Sequence, residues 1–530
     1  MLNASLLPHI VWVVGDDIGW HDLPLTQAGA DASTVKSPFL SKLAAEGTVL
    51  GNYYVNPICT PTRTSFMTAR YPIHVGLQHG VIRDALAEGV PLNETMFPEH
   101  LKPLGYKTHI VGKWHLGFYR AAYTPERRGF DDHFGYYTGN TEFWNHTSPA
   151  WGCDNYTALD LHRSTATSFA AVTDASDVYS TNLFGDECVR IIEAHPARAP
   201  LFLYAPFEAV HGASSCYRRG APADCETPDG DELQAPQSYI DAQAHIANPF
   251  RRTFAAMLGA LDEAVGNVTA ALDARQMLGR TLLLFTTDNG APAVHFNFQA
   301  MSNWPLRGGK AQLWEGGVRG CGFIWGPGVG VPAGRNSSAL IHASDWLPTL
   351  LTAIGAPLSP ANSSHLDGVD VWASIAHGAP SPRTEILHNI DPLGTTSAAV
   401  RVGDFKLIVG QVDAGWGPRP DTGDTAVAAP GETGPWIFNV RTDASERVNL
   451  HDSPAHADVR KRLYAALARY NASAVPCRLC YAKPDPAAAP APLDPPVDVC
   501  TPAPVDADDP TKGSRPILCE DVGVWRPWRD

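Results

Sequence analysis

"IVWVVGDD", residues 10–17, decides how the rest of the chain is read. Five apolar residues follow one another without polar alternation, which fits a strand buried on both faces. The run ends in Gly15, Asp16 and Asp17, so the strand delivers two carboxylates at its end. Three further stretches repeat the arrangement. His109-Ile110-Val111 leads to Lys113 and His115, Leu201-Phe202-Leu203-Tyr204 leads through a loop to His211, and Leu282-Leu283-Leu284-Phe285 leads to Asp288 and Asn289. Between them, Ser37-Pro38 opens a short helix closed by Gly47, and Phe250, Phe254, Met257, Leu258, Leu261, Val265, Val268 and Leu272 recur at helical spacing. Strands alternating with helices mean an α/β fold with a parallel sheet. Such sheets bind ligands beyond the carboxyl ends of their strands, so the four polar clusters are expected to converge.

The pattern changes near Ser381. Residues 385–388, 398–402, 405–409 and 436–440 read as short strands joined by Gly-rich turns, with Gly403-Asp404 as a hairpin turn and a helix from about His456 to Tyr470. The expected division is a large domain over 1–383, a small antiparallel sheet plus helix over 384–475, and a Pro/Ala-rich, cysteine-bearing tail over 476–530.

With 530 residues, 44% hydrophobic and 18% charged, the chain has ample length for a large core and a second, smaller unit. A formal net charge of -15 argues against nucleic-acid binding by the surface as a whole; an anionic substrate would need a locally positive pocket. No apolar run reaches the roughly 18 residues of a membrane span. N-x-S/T sequons at Asn3, Asn93, Asn145, Asn155, Asn267, Asn336, Asn362 and Asn471 point to the secretory pathway. So do ten cysteines with close pairs Cys216/Cys225 and Cys477/Cys480 and late ones at Cys500 and Cys519, read as disulfide material. No signal peptide precedes Ile10, and the expectation is that the start of the exported chain is missing here.

Asp16, Asp17, Asp288 and Asn289 offer oxygen ligands that suit a hard cation, calcium or magnesium. Singly, each pair is equally a cap or a turn. Lys113 and His115, two apart, would point the same way in an extended segment. With His211 and with Lys310 in "NWPLRGGK" (residues 303–310), they would build an anion pocket inside an acidic protein. The stretch "PICTPTRTSFMTARYP", residues 57–72, places Cys59 just outside the start of a helix that should stop near Arg70. Helix starts suit anions. On these residues alone Cys59 is as readily a structural thiol or half of a disulfide.

The motifs taken together resemble a known family. Cys59-Thr60-Pro61-Thr62-Arg63 followed by Thr68-Ala69-Arg70 is similar to the C-x-P-x-R signature of the type I sulfatases with its trailing T-G-R, Ala69 standing for the usual glycine. The resemblance runs from Asp16 to about Leu450. "NWPLRGGKAQLWEGGVRG" (303–320), "LHNIDP" (387–392) and "GVWRPW" (523–528) bring it closest to arylsulfatase B-like enzymes.

What the resemblance implies is specific. The fold would be an alkaline-phosphatase-like sandwich, with a large mixed, mostly parallel sheet flanked by helices and a smaller antiparallel C-terminal domain. Cys59 would be oxidised to formylglycine by a formylglycine-generating enzyme, and its hydrate would be the nucleophile and a ligand of one calcium ion with Asp16, Asp17, Asp288 and Asn289. Arg63 and Lys113 would hold the ionised hydrate, Lys310 would bind sulfate, His211 would protonate the leaving alcohol, and His115 would deprotonate the second hydroxyl. Lys113, His211 and Lys310 would contact the substrate, a sulfate ester of a polysaccharide, in an extracellular or lysosome-like compartment. Alternatives are a formylglycine-dependent phosphonate or phosphate ester hydrolase, and a secreted glycan-binding homologue without catalysis. The pocket rim is expected in loops 140–164 and 210–237, with Tyr136, Tyr137, Phe143 and Trp144 as stacking surfaces or ordinary packing.

Overall fold

Ile10 to Val14 lie at the centre of a strand, β1 (His9–Gly15), every residue of which is buried. In the computed structural model, which describes residues 7–25, 34–84, 86–149, 157–196, 198–213, 233–293, 300–393, 397–411, 414–417, 419, 431 and 434–479, this strand sits inside a ten-stranded sheet. With it run β2 (Lys107–Lys113), β3 (Asp132–Tyr136), β4 (Leu201–Pro206) and β5 (Thr281–Thr287). All pair in parallel, in the spatial order β5-β1-β4-β2-β3. Antiparallel strands extend both edges: Gly322–Trp325 beside β5 and His162–Thr165 beside β3.

The absence of alternation in these runs now has its cause. Val11, Val13, Leu203, Ala205, Leu283 and Phe285 face one core, and Ile10, Trp12, Val14, Phe202, Tyr204, Leu282 and Leu284 face the other. Successive strand residues point to opposite faces, so a strand covered on both sides must be apolar throughout. Six helices matter for the site: α1 (Pro38–Ala45), α2 (Cys59–Thr68), α3 (Ser180–Ala194), α4 (Pro249–Ala274), α5 (Trp346–Ala353) and α6 (Ala457–Ser473). Helices α3 and α4 cover the first face through Phe184, Ile191, Phe254, Leu258 and Val265. Helices α2 and α5 cover the second through Phe66, Met67, Trp346 and Leu350.

Helix α1 departs from expectation at its cap. Ser37 makes no side-chain capping bond. Instead, Asp262 of α4 accepts from the backbone N–H groups of Phe39 (3.1 Å) and Leu40 (2.7 Å). A carboxylate from a packed neighbour thus satisfies the free donors of the first turn, a tertiary solution that local sequence does not encode.

The C-terminal strands β6 (Glu385–Asp391), β7 (Ser397–Val402), β8 (Phe405–Val409) and β9 (Trp436–Asn439) form an antiparallel sheet in chain order. Val402 pairs with Phe405 across the two-residue turn, where Gly403 takes φ 59°. One face packs on α6 through Leu387, Val400, Leu407, Leu463 and Leu467. The other brings Ala399, Ile408 and Phe438 against Leu313 and Trp314. A buried polar joint ties this sheet to the body. Lys406 of β8 lies 3.0 Å from Glu315 and 2.9 Å from Glu446, and Tyr54 donates to Glu315 at 2.7 Å.

Among the described residues no helix is long and apolar enough to cross a membrane. The expected cysteine pairs involve Cys216, Cys225, Cys480, Cys500 and Cys519, which lie outside the described residues, as does "GVWRPW".

Candidate active site

The carboxyl ends of β1, β2, β4 and β5 do meet. Asp16 and Asp17 follow β1, Lys113 closes β2, His211 follows β4, and Asp288 and Asn289 follow β5. Helix α2 starts at the same edge. Cys59 is its first residue, with Ile58 as N-cap in an extended conformation, so the cysteine lies inside the first turn rather than outside it. The helix ends at Thr68, because Ala69 turns left-handed at φ 56°. Ligand atoms of Asp16, Asp17, Cys59 and His211 all lie within 4.8 Å of one another. Asp288 and Asn289 border this group through Asp17: Asp288 Oδ1 accepts from the Asp17 N–H at 3.4 Å, and Asn289 Nδ2 donates to Asp17 Oδ1 at 2.6 Å.

Three cationic side chains face three carboxylates. Lys113 Nζ is 2.6 Å from Asp16 Oδ2, Lys310 Nζ is 2.7 Å from Asp17 Oδ2, and Arg63 NH2 is 2.8 Å from Asp288 Oδ2 and 3.3 Å from Asp16 Oδ2. All six are buried. Burial alone would raise the Asp16 and Asp17 carboxyls; Lys113, His211 and Arg63 around Asp16, and Lys310 and His211 around Asp17, hold both below their ordinary value. Cys59 is different. Burial pushes its thiol up to about 12 against the pull of Lys113 and Lys310, and its Sγ donates weakly to Asp16 Oδ1 at 3.8 Å. A thiol so held is not a thiolate nucleophile.

The two histidines are held differently. His211 Nδ1 donates to the Gly212 carbonyl at 2.7 Å, which leaves Nε2 to accept from Lys310 Nζ at 2.9 Å. Burial and Lys310 lower its pKa. His115 does not continue the strand. β2 ends at Lys113, and His115 takes φ 57°, so the expected common direction with Lys113 fails. Its Nε2 donates to the Ile82 carbonyl at 3.1 Å, and its buried Nδ1 has no partner among the described residues. Burial, Lys113 and Arg63 keep this ring neutral, so Nδ1 is a bare lone pair. Asp17 also sits at positive φ, 61°. Left-handed backbone at a non-glycine residue costs about 1–3 kcal/mol, and persists where the surroundings over-determine it.

The donor set fits a hard cation. Asp16, Asp17, Asp288 and Asn289 supply oxygen, and Asn289 Oδ1 is buried without a hydrogen-bond partner among the described residues, an acceptor facing no protein donor.

Glu208 and Asn303 were not expected at the site. Glu208, three residues before His211, accepts from the Thr141 N–H and hydroxyl; burial pushes its carboxyl up to about 8. It follows an apolar run just as Asp16 does, and that signal could have found it. Asn303 ties the segment after Asn289 to the Lys310 loop, bonding to Ala291 N (2.9 Å), Ala291 O (2.8 Å) and Gly308 O (3.0 Å). Nothing local in the sequence marks that role. Tyr136, Tyr137 and Phe143 are buried rather than presented to the rim.

A buried pocket of paired charges with two imidazoles can receive an anionic ester and move protons at it. Comparison with known proteins makes the class definite. The family model "Sulfatase" matches residues 8–356. Arylsulfatase J of Mus musculus is 36% identical over 500 residues, which cover 89% of this chain and 77% of that protein. Human (Homo sapiens) N-acetylgalactosamine-6-sulfatase is 28% identical over 413 residues, 76% of this chain and 72% of that protein. The crystal structure of Ps i-CgsB in complex with k-i-k-neocarrahexaose superposes with a TM-score of 0.69 at 25% identity, covering 88% of this chain and 94% of that one. The chain belongs to the sulfatase family, and it is a hydrolase of sulfate esters.

Proposed function

We propose that this sulfatase cleaves sulfate monoesters of a glycan at a residue generated from Cys59, beside a calcium ion held by Asp16, Asp17, Asp288 and Asn289. The observation that carries the reading is the meeting of Cys59 with Asp16, Asp17 and His211 inside 4.8 Å. A buried thiol pushed up to about 12 has no evident use there, whereas a formylglycine hydrate supplies a hydroxyl nucleophile and a second hydroxyl through which sulfate is expelled. The cation, when bound, neutralises sulfate charge and acidifies the nucleophile.

The chain's own residues do the rest. Arg63 and Lys113 hold negative charge at the Cys59 position, and Lys310 binds a sulfate oxygen. His211 is fixed by Gly212 through Nδ1, so Nε2, once protonated, is the atom that gives a proton to the leaving alcohol. His115, neutral and with a bare Nδ1, is the base for the step that releases sulfate. Charge favours sulfate over phosphate. Three carboxylates already balance three cations, so a dication leaves two positive charges. That matches a sulfate monoester monoanion plus one ionised hydroxyl and falls short for a phosphate dianion.

The same reading takes the division at about residue 383, the kinship to arylsulfatase B-like enzymes, maturation by a formylglycine-generating enzyme, and a secretory, extracellular or lysosome-like location. Peptide mass spectrometry across Cys59 tests it. Protein made with the modifying enzyme is expected to carry the aldehyde or its hydrate; a fully alkylatable Cys59 in an active preparation refutes the mechanism.

A further inference from the structure

The Lys310 loop is gripped from the side by the C-terminal sheet. The stretch joining β8 to β9 comes back to it: Gly308 N–H donates to the Gly415 carbonyl at 2.9 Å, and Arg307 bridges to Trp416 in antiparallel fashion. Arginines and tryptophans alternate there. The Arg307 guanidinium lies 4.0 Å from the Trp314 ring and 4.7 Å from that of Trp416. Arg447 covers Trp416 at 4.6 Å, and Arg419 lies 5.9 Å from Trp304. The inner part, Arg307 and Trp314, is buried and holds the two segments together. The outer part is open: Trp304, Trp416 and Arg419 are half-buried and Arg447 is exposed. Arg447 has no carboxylate partner to its guanidinium among the described residues. Asp443, the nearby acid, accepts instead from the backbone N–H groups of Arg447 and Val448.

The strip sets the guanidiniums of Arg419 and Arg447 on tryptophan faces, an arrangement that suits an anionic ligand. Flat tryptophan faces suit the apolar faces of sugar rings. Stacked guanidiniums are held in orientation and present paired N–H donors that match sulfate or carboxylate oxygens. Gly308, whose N–H donates to the Gly415 carbonyl beside Trp416, is two residues before Lys310. We infer that Trp304, Trp416, Arg419 and Arg447 form an extended subsite that binds further sulfated sugars of a chain whose cleaved ester lies at Lys310. The inference rests on the reading of that centre as a glycan sulfatase and adds the surface on which the uncleaved part of the chain lies.

Binding of a chondroitin-sulfate hexasaccharide and of the corresponding disaccharide to the full-length protein and to its R419A/R447A variant tests this. The hexasaccharide is expected to bind at least tenfold more tightly than the disaccharide. That advantage should shrink to about twofold in the double variant, and should fall in the unmodified protein as salt rises. An advantage that survives R419A/R447A, or no advantage at all, overturns the subsite. So does equally tight binding of a single-stranded DNA oligomer of the same charge. A protein that hydrolyses no sulfate ester refutes the catalytic reading instead, because the binding comparison does not depend on turnover.

Discussion

Asn289→Ala separates the cation from everything else in the site. Asn289 gives the proposed ion one neutral oxygen, the Oδ1 that has no other partner among the described residues. Its amide nitrogen bonds to Asp17 at 2.6 Å and to the Gly290 carbonyl at 3.0 Å. Losing those two bonds, one of them to an ionised carboxylate, costs the calcium-free protein about 2–4 kcal/mol. Asp288→Asn is a poorer probe. It takes the charge from a carboxylate that Arg63 grips at 2.8 and 3.1 Å, and breaking a buried pair costs about 3–5 kcal/mol by itself. The informative quantity for Asn289→Ala is the stabilisation that calcium adds. At a concentration one hundred times Kd it is about 2.7 kcal/mol for the unmodified protein. A tenfold weaker site leaves about 1.4 kcal/mol at the same calcium concentration, and a hundredfold weaker one about 0.4. Thermal unfolding with calcium and with chelator, on both proteins, reads the difference without any need for turnover. A calcium-induced rise in Tm as large in Asn289→Ala as in the unmodified chain would mean that the ion binds elsewhere.

Three further outcomes follow from the same geometry. His211→Ala is expected to slow sulfate esters of sugar alcohols at least tenfold more than esters of nitrophenol, since only poor leaving groups need the proton; equal loss on both removes His211 as the acid. His115→Ala should let the first transfer proceed and trap sulfate on the residue at position 59, a mass increment visible in peptide analysis, and its absence contradicts the role of Nδ1 as base. Burial lifts Glu208 to about 8 and Asp160 to about 6, above their ordinary values, so their contribution to stability is full below about pH 4 and is lost as pH rises through those values. Buried His115, His133 and His162, held below their ordinary value by burial, pull total stability the other way, so the readout is a difference: the Tm of Glu208→Gln, which keeps the acceptor oxygen for Thr141, minus that of the unmodified protein should rise from pH 5 to pH 8. An unchanged difference refutes the assignment to Glu208.

The sequence by itself determined the layered plan and the sheet edge at which the polar residues gather. Buried strands must be apolar on both sides, so "IVWVV" and its three relatives announced a covered parallel sheet, and polar residues directly after them had to gather at its carboxyl edge. Asp16, Asp17, Lys113, His211, Asp288 and Asn289 were placed at that edge for this reason, and Cys59 and Arg63 were singled out only by the resemblance of residues 59–63 to the C-x-P-x-R signature. What local spacing cannot carry is direction. His115 leaves the line of β2 by a left-handed turn, so that its partner is the Ile82 carbonyl and its Nδ1 is bare. The cap of α1 comes from Asp262, 222 positions away from Leu40. Glu208 and Asn303 matter through bonds to Thr141 and Ala291 that exist only once the chain has closed. The C-terminal sheet reaches the Lys310 loop through Gly415 and Trp416. Each of these is a contact between segments far apart in the chain. Its energy depends on distance and burial in three dimensions, which residue order alone does not encode.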